Sequence, residues 1–202
     1  KGSRAVKNRF ERENYTVAIL SPPYSQEVMT ELAEVSRKWL QGRAEKGFSL
    51  GFFDENYLNT SKIAVLRGAE GVIGFASIMP MYDKGERISV DLMRFKPGAP
   101  SGTMDFIFLS LFQWAKEQGY RVFNMGMSPL SNVGQSRYSF LSEKIAAQIF
   151  LHGQYFYHFK GLKNFKLKYA DFWEPKYVAY RKKSSLPFTM AQITLLIGRK
   201  RK

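Results

Sequence analysis

Asp91 and Arg94 stand three residues apart where a strand-like run, Ile88 to Leu92, gives way to the loop FKPGAPSG, and Asp105 opens the helix-like segment beyond it. In mixed α/β folds, ligands collect where strand ends meet helix starts. Arg94 offers a planar fork for a carbonyl, phosphate or carboxylate, and Asp91 a carboxylate that takes a proton or grips an ammonium. Three residues along a strand do not share a face unless the strand ends or bulges there. Pattern alone therefore reads the pair first as a structural ion pair at a sheet edge. Asp105 reads most simply as a helix-dipole or capping residue.

Further candidates follow in the chain. Ser128 and Ser131, in the polar loop SPLSNVG, offer hydroxyls that orient a polar substrate. The segment FYHFKGLKNFKLKY interleaves Lys160, Lys163, Lys166 and Lys168 with aromatic residues, which suits phosphate contacts beside stacking surfaces. A solvated helix face with core aromatics explains the same spacing. Glu174 precedes Pro175 near the end of this region.

Several chemistries are excluded. The chain has no cysteine and only two histidines, His152 and His158, which removes thiolate and histidine-rich metal sites. The Gly/Pro loop lacks the Gly-Lys-Ser/Thr ending of a P-loop and the dinucleotide fingerprint. Neither serine has a histidine at a diagnostic spacing, so a serine hydrolase is not indicated. No apolar run reaches the roughly 20 residues a membrane span needs.

The elements that must position these residues are legible in order. Residues 3–13 read as a helix, Tyr15 to Leu20 as a strand, and the segment from Ser25 to Leu40 as a capped helix with Val28, Leu32 and Val35 at helical spacing. Trp39 reads as a packing residue. Asp54-Glu55 opens a short helical turn, and Lys62–Arg67 with Val72–Met81 forms a hairpin about a four-residue turn. Ile88 to Leu92 is a third strand, Gly102 to Gln118 the strongest helix, with Gly119 as its terminator, and Val122 to Met125 a further strand. Two helices follow over Tyr138–Leu151 and Gln154–Tyr169, then a strand over Tyr177–Tyr180 and an apolar helix over Pro187–Ile197 ahead of the basic tail GRKRK. That last helix has the make-up of an interfacial segment, or of one that docks on another part of a longer protein. The order predicts an α+β fold.

The net charge of +14 is segregated. Residues 1–12 sum to +4 and residues 150–202 to +10, leaving residues 13–149 neutral with fourteen charges of each sign. A neutral body with basic ends points to an acidic partner, nucleic acid or anionic lipid. A start within a basic helix reads as a fragment of something longer.

The text VDLMR, a Gly/Pro loop, GTMDFIF, then FNMGMSPLSNVG and FKGLKNFKLKYADFWEPKYVAY resembles the C-terminal domain of bacterial phosphatidylglycerol lysyltransferases, the multiple peptide resistance factors. The likeness runs from about Phe48 to Tyr180. It implies a GNAT-like mixed sheet flanked by helices, the second unit of a tandem arrangement. It also implies transfer of lysine from lysyl-tRNA to phosphatidylglycerol at the cytoplasmic face of the bacterial membrane, which confers resistance to cationic antimicrobial peptides. An upstream GNAT-like unit and a transmembrane flippase domain would belong to the same protein. The expected organisation is a linker helix over 1–14, the transferase domain over 15–183 and a C-terminal helix with its tail over 184–202.

Coenzyme A enzymes of this fold carry Arg/Gln-x-x-Gly-x-Gly/Ala after the central strand. Here Arg94-Phe-Lys-Pro-Gly98-Ala-Pro departs from it, which favours an aminoacyl donor and no cofactor. Fem-type relatives carry a Phe-Lys pair that Phe165-Lys166 matches best, with Phe159-Lys160 competing. The resemblance thus makes Asp91, Arg94 and Lys166 the catalytic candidates and Asp105, Ser128, Ser131, Lys160, Lys163 and Glu174 the substrate-binding ones. The alternative is a non-catalytic basic module for RNA or an anionic membrane, and a small-molecule acetyltransferase stands third.

Overall fold

The computed structural model describes residues 2–43, 45, 51–152, 159–179, 181 and 185–198. Its elements run α1 (Gly2–Arg12), β1 (Thr16–Leu20), α2 (Gln26–Leu40), α3 (Glu55–Leu58), β2 (Ile63–Gly68), β3 (Gly71–Pro80), β4 (Arg87–Phe95), α4 (Thr103–Glu117), β5 (Val122–Asn124), α5 (Leu141–His152), α6 (Phe159–Leu167) and α7 (Leu186–Gly198). They fall into two compact units, residues 1–124 with 180–202, and residues 125–179.

The first unit is built on one sheet in the order β1-β2-β3-β4-β5. Its first four strands pair antiparallel and β5 joins β4 in parallel after the α4 crossover. β2 shows why its sequence is an unbroken apolar run: successive residues enter opposite cores. Ala64 and Leu66 pack with Phe106, Ile107 and Leu111 under α1 and α4. Ile63 and Val65 pack with Leu32, Val35 and Leu58 under α2 and α3. Burial on both faces replaces polar alternation with continuous hydrophobicity.

Local signals set the helix ends. The Ser25 side chain accepts from the Val28 amide to start α2, and Asp54 accepts from the Tyr57 amide to start α3. α4 starts behind Gly102, which has no side-chain cap, and Gly119 lies just past its end at φ 83°.

Two further details separate the structure from the sequence reading. α1, expected as a linker, is packed into the first unit: Phe10 is fully buried, stacked on Phe106 at 4.7 Å and against Tyr15 at 5.1 Å. Residues 177–179 form no strand, and Tyr177 and Val178 are exposed, so apolar content there is not matched by an edge to pair with. Tyr180 and most of the basic tail lie outside the described residues.

β4 is interrupted by a bulge that decides where its functional side chains go. Met93 opposes Ala76 and Val90 opposes Ile78, so Asp91 and Leu92 together face Ser77. The Ser77 hydroxyl accepts from the Leu92 amide at 3.0 Å and satisfies the displaced backbone. Pairing with β5 ends at Ser89 and Asn124, while β4 runs on to Phe95.

Because Phe10 joins α1 to α4, Phe10→Ala should destabilise the first unit by about 3–5 kcal/mol. A fall in the urea midpoint with an unchanged slope would show it; an unchanged midpoint would mean that α1 adds nothing to this core.

Candidate functional site

The bulge turns Asp91 and Arg94 onto the same face of the sheet, the one covered by α2 and α3, but their partners differ. The Asp91 carboxylate accepts from the Gly51 amide at 3.2 Å through Oδ1 and from the Tyr57 hydroxyl through Oδ2. A Cβ on residue 51 would come within 2.0 Å of Asp91 Oδ2, so this approach requires glycine. Burial, and then the Asp91 hydrogen bond and charge, push the Tyr57 hydroxyl up to about 12. Tyr57 thus stays a donor to Asp91 across the physiological range.

Asp91 and Tyr57 line a pocket of about 200 Å³ with Ser61, Ser77, Met79 and Tyr82. That is below the roughly 300–1,000 Å³ of sites for drug-sized ligands, and it fits a group of side-chain size.

Arg94 is buried. Its guanidinium donates to the Ser36 hydroxyl and to Glu45, and lies 5.1 Å from the Trp39 ring centre. Glu45 Oε1 also accepts from the Phe53 amide at 2.7 Å. Arg94 therefore ties α2 and the segment that presents Gly51 to the strand bearing Asp91.

The Gly/Pro loop between β4 and α4 has α1 as a neighbour. Arg9 donates to the Ser101 carbonyl, and Val6 packs at Gly102, so α1 lies over this loop. Asp105 occupies the first turn of α4, the position in which a carboxylate favours the helix dipole.

The second unit has its own cluster. Lys166 on α6 is 7% exposed, and its ammonium donates to the Met127 carbonyl at 2.7 Å. Burial lowers its pKa from 10.5 to about 8. In the loop before α5, the Ser128 and Ser131 hydroxyl oxygens are buried and have no hydrogen-bond partner among the described residues. Leu130 and Asn132 adopt positive φ, 58° and 64°. Such backbone is common for Asn and rare for Leu, and buried unsatisfied hydroxyls are uncommon. Lys163 secures the loop by donating to Asn132 Oδ1 at 2.7 Å.

The four lysines of this segment consequently do not form one solvated face. Lys166 is internal, Lys163 holds the loop, Lys168 lies over the Phe165 ring at 5.3 Å, and the Lys160 side chain lies outside the described residues. Helical spacing fixes which residues share a face but not which face is covered. Glu174 is exposed and pairs with Lys176 at 3.6 Å.

Sequence reasoning did not single out Tyr57, Gly51 or Ser77. Its available signal was a lone glycine in an aromatic run directly before the Asp54 cap.

A sheet of this order, its last strand parallel after a helical crossover, is a GNAT-like fold. An aminoglycoside acetyltransferase from an uncultured soil metagenomic sample covers 87% of the chain at TM-score 0.51 and 8% identity, a likeness of fold alone. Residues 1–180 match the family described as phosphatidylglycerol lysyltransferase, C-terminal, and the chain belongs to that family. It is 52% identical over 202 residues to the phosphatidylglycerol lysyltransferase of Bacillus subtilis (strain 168) and 43% identical over 201 to that of Staphylococcus haemolyticus (strain JCSC1435). These alignments cover 100% and 99% of the chain but 24% of each relative, so the chain spans about a quarter of their length. The structure of L-PGS from Bacillus licheniformis matches 98% of the chain, and 60% of its own, at TM-score 0.81 and 52% identity.

The Lys166 amine should react with an amine-selective acylating label with a midpoint near pH 8, read by mass spectrometry across a pH series. A midpoint near 10.5 would show that it is not desolvated. The sign of linkage follows: between about pH 8 and 10.5 the unfolded chain binds more protons than the folded one, so this residue makes stability rise with pH there.

Proposed function

We propose that the protein transfers lysine from lysyl-tRNA to a glycerol hydroxyl of phosphatidylglycerol, giving lysyl-phosphatidylglycerol. The observation that carries this reading is the family match over residues 1–180. In the reaction the lipid hydroxyl oxygen bonds to the ester carbonyl carbon, the bond from that carbon to the tRNA ribose oxygen breaks, and the hydroxyl proton ends on the ribose. One ester replaces another, so the balance needs no nucleotide and no coenzyme. Positioning then counts for more than proton transfer.

The geometry supports the following residue roles. Asp91, with both carboxylate oxygens already accepting hydrogen bonds and a pocket of side-chain size beside it, suits gripping the α-ammonium of the lysyl group better than removing a proton. Lys166, buried and still largely protonated at neutral pH, suits stabilising the charge that develops on the ester carbonyl oxygen. Arg94 acts by position, holding the segment that carries Gly51. The Ser128 and Ser131 hydroxyls, buried with no partner among the described residues, suit polar groups of a substrate. Asp105 and Glu174 are the candidates for reading the side-chain ammonium, and Lys160 and Lys163 for tRNA phosphates.

In this reading the chain works at the cytoplasmic face of the bacterial membrane, beside an upstream GNAT-like unit and a flippase domain. Its basic termini serve two acidic partners, tRNA and anionic lipid.

The deciding assay follows label from lysyl-tRNA into phosphatidylglycerol, in protein that contains this chain and its proposed upstream unit, with alanyl-tRNA in parallel. Asp91→Asn should lower kcat by about 100-fold or more. Arg94→Ala should abolish transfer and also lower the urea midpoint, because it removes a buried, paired guanidinium, and Lys166→Ala should impair donor use. Wild-type kinetics in all three would remove these residues from the mechanism. Binding of RNA and vesicles with no lipid-bound label would favour the non-catalytic basic module.

A further inference from the structure

The Asp91 carboxylate has no counter-charge among the described residues. No Lys, Arg or His among them pairs with it, and Arg94, three positions on, is taken by Glu45. Asp91 is also the only charged side chain among the described residues that line the pocket of about 200 Å³. A half-buried carboxylate left unpaired favours a cation in the space beside it.

Its two protein partners shape what that cation can be. A carboxylate offers roughly four lone-pair sites. The Gly51 amide takes one on Oδ1 and the Tyr57 hydroxyl one on Oδ2, so acceptor capacity stays open on each oxygen. Two open acceptors side by side suit a group with several N–H donors, as a primary ammonium has.

Of the two partners, Tyr57 has a group that the packing of α3 does not need. Leu58 is fully buried in the core under α2, and the Tyr57 ring stacks on Phe52 at 5.5 Å and 14°. The Tyr57 amide donates to Asp54 Oδ1 at 2.8 Å, which fixes the backbone that carries the ring. A phenylalanine would keep all three contacts. The hydroxyl adds a donor that fixes Oδ2, and with it the plane of the carboxylate.

We propose that Tyr57 is a positioning residue of this site: its hydroxyl holds the Asp91 carboxylate in one orientation, with its open acceptor positions turned to a primary ammonium in the pocket. The assignment rests on the reading of Asp91 as the grip on the donor's α-ammonium and extends it to the residue that aims Asp91.

Met79 lines the same pocket and is 38% exposed, so its methyl group reports occupancy. Isotopic methyl labelling of the eight methionines in the full 202-residue chain, with Met79→Leu to assign the signal, isolates it in an NMR titration. Alaninamide, which has a single ammonium, should move the Met79 signal saturably, and N-acetylalaninamide, which has none, should leave it in place. Tyr57→Phe should weaken alaninamide binding about tenfold. Gly51→Ala, which brings a Cβ into the Asp91 carboxylate and keeps Tyr57, should weaken it at least as much. In lysyl transfer, Tyr57→Phe should lower kcat/KM about tenfold alone and cause no further loss in Asp91→Asn.

A Met79 signal that ignores alaninamide, or moves equally with the acetylated compound, would overturn the proposal. Unchanged affinity in Tyr57→Phe or in Gly51→Ala would do the same. So would an equal further loss on adding Tyr57→Phe to Asp91→Asn, the mark of a hydroxyl that acts on the fold and not through Asp91. Absence of lysyl transfer by the parent protein, with the amine titration as expected, would instead sink the transferase reading and leave the ammonium site standing.

Discussion

One extra residue in β4 governs the geometry of the first unit's site. Without the bulge opposite Ser77, strict alternation would send Asp91 and Arg94 to opposite faces of the sheet. With it, Leu92 enters the core under α2, Asp91 meets Gly51 and Tyr57, and Arg94 reaches Ser36 and Glu45. The displaced Leu92 amide would be an unsatisfied buried donor if the Ser77 hydroxyl did not accept from it. The bulge is therefore specified by a side chain on the neighbouring strand. Ser77, which also lines the pocket, is a structural residue with functional consequences.

The same arrangement explains why an arginine expected to touch substrate is instead held inside. A buried guanidinium is tolerable only when paired and hydrogen-bonded, and Arg94 has a carboxylate, a hydroxyl and an aromatic face. Its carboxylate partner, Glu45, is shared with the Phe53 amide. Pairing here converts electrostatic energy into the position of a backbone segment, and Gly51 in that segment supplies one of the two donors to Asp91. The geometry around Asp91 and the fold's buried ion pair are thus coupled through a few residues.

Much of this fold was legible because its signals are local. Helix caps at Ser25 and Asp54, the four-residue turn of the β2–β3 hairpin and the glycine past α4 all depend on residues within a few positions. The site was legible only in part, because its decisive features are non-local. Nothing near Asp91 in sequence announces that Ser77 will stabilise a bulge, or that Tyr57, 34 residues earlier, will donate to it. Likewise Lys160, Lys163, Lys166 and Lys168 have equivalent spacing chemistry, and only packing separates the buried Lys166 from a solvated neighbour. Of the strand expected over Tyr177–Tyr180, the described residues 177–179 form none, for the complementary reason: propensity without a partner edge does not make a strand.

Desolvation acts on one group in each unit, and in opposite senses. It raises the Tyr57 hydroxyl to about 12, which keeps the proton on the oxygen that donates to Asp91. It lowers Lys166 to about 8, which loosens a proton that a solvated lysine would keep to much higher pH. Both shifts disfavour the charged form, as burial must. Each shift therefore widens the pH range over which its group is neutral. The positive-φ Leu130 turn and the two buried serine hydroxyls follow Met127, the residue whose carbonyl holds Lys166, so the local cost of this unit is concentrated in the loop that Lys166 anchors.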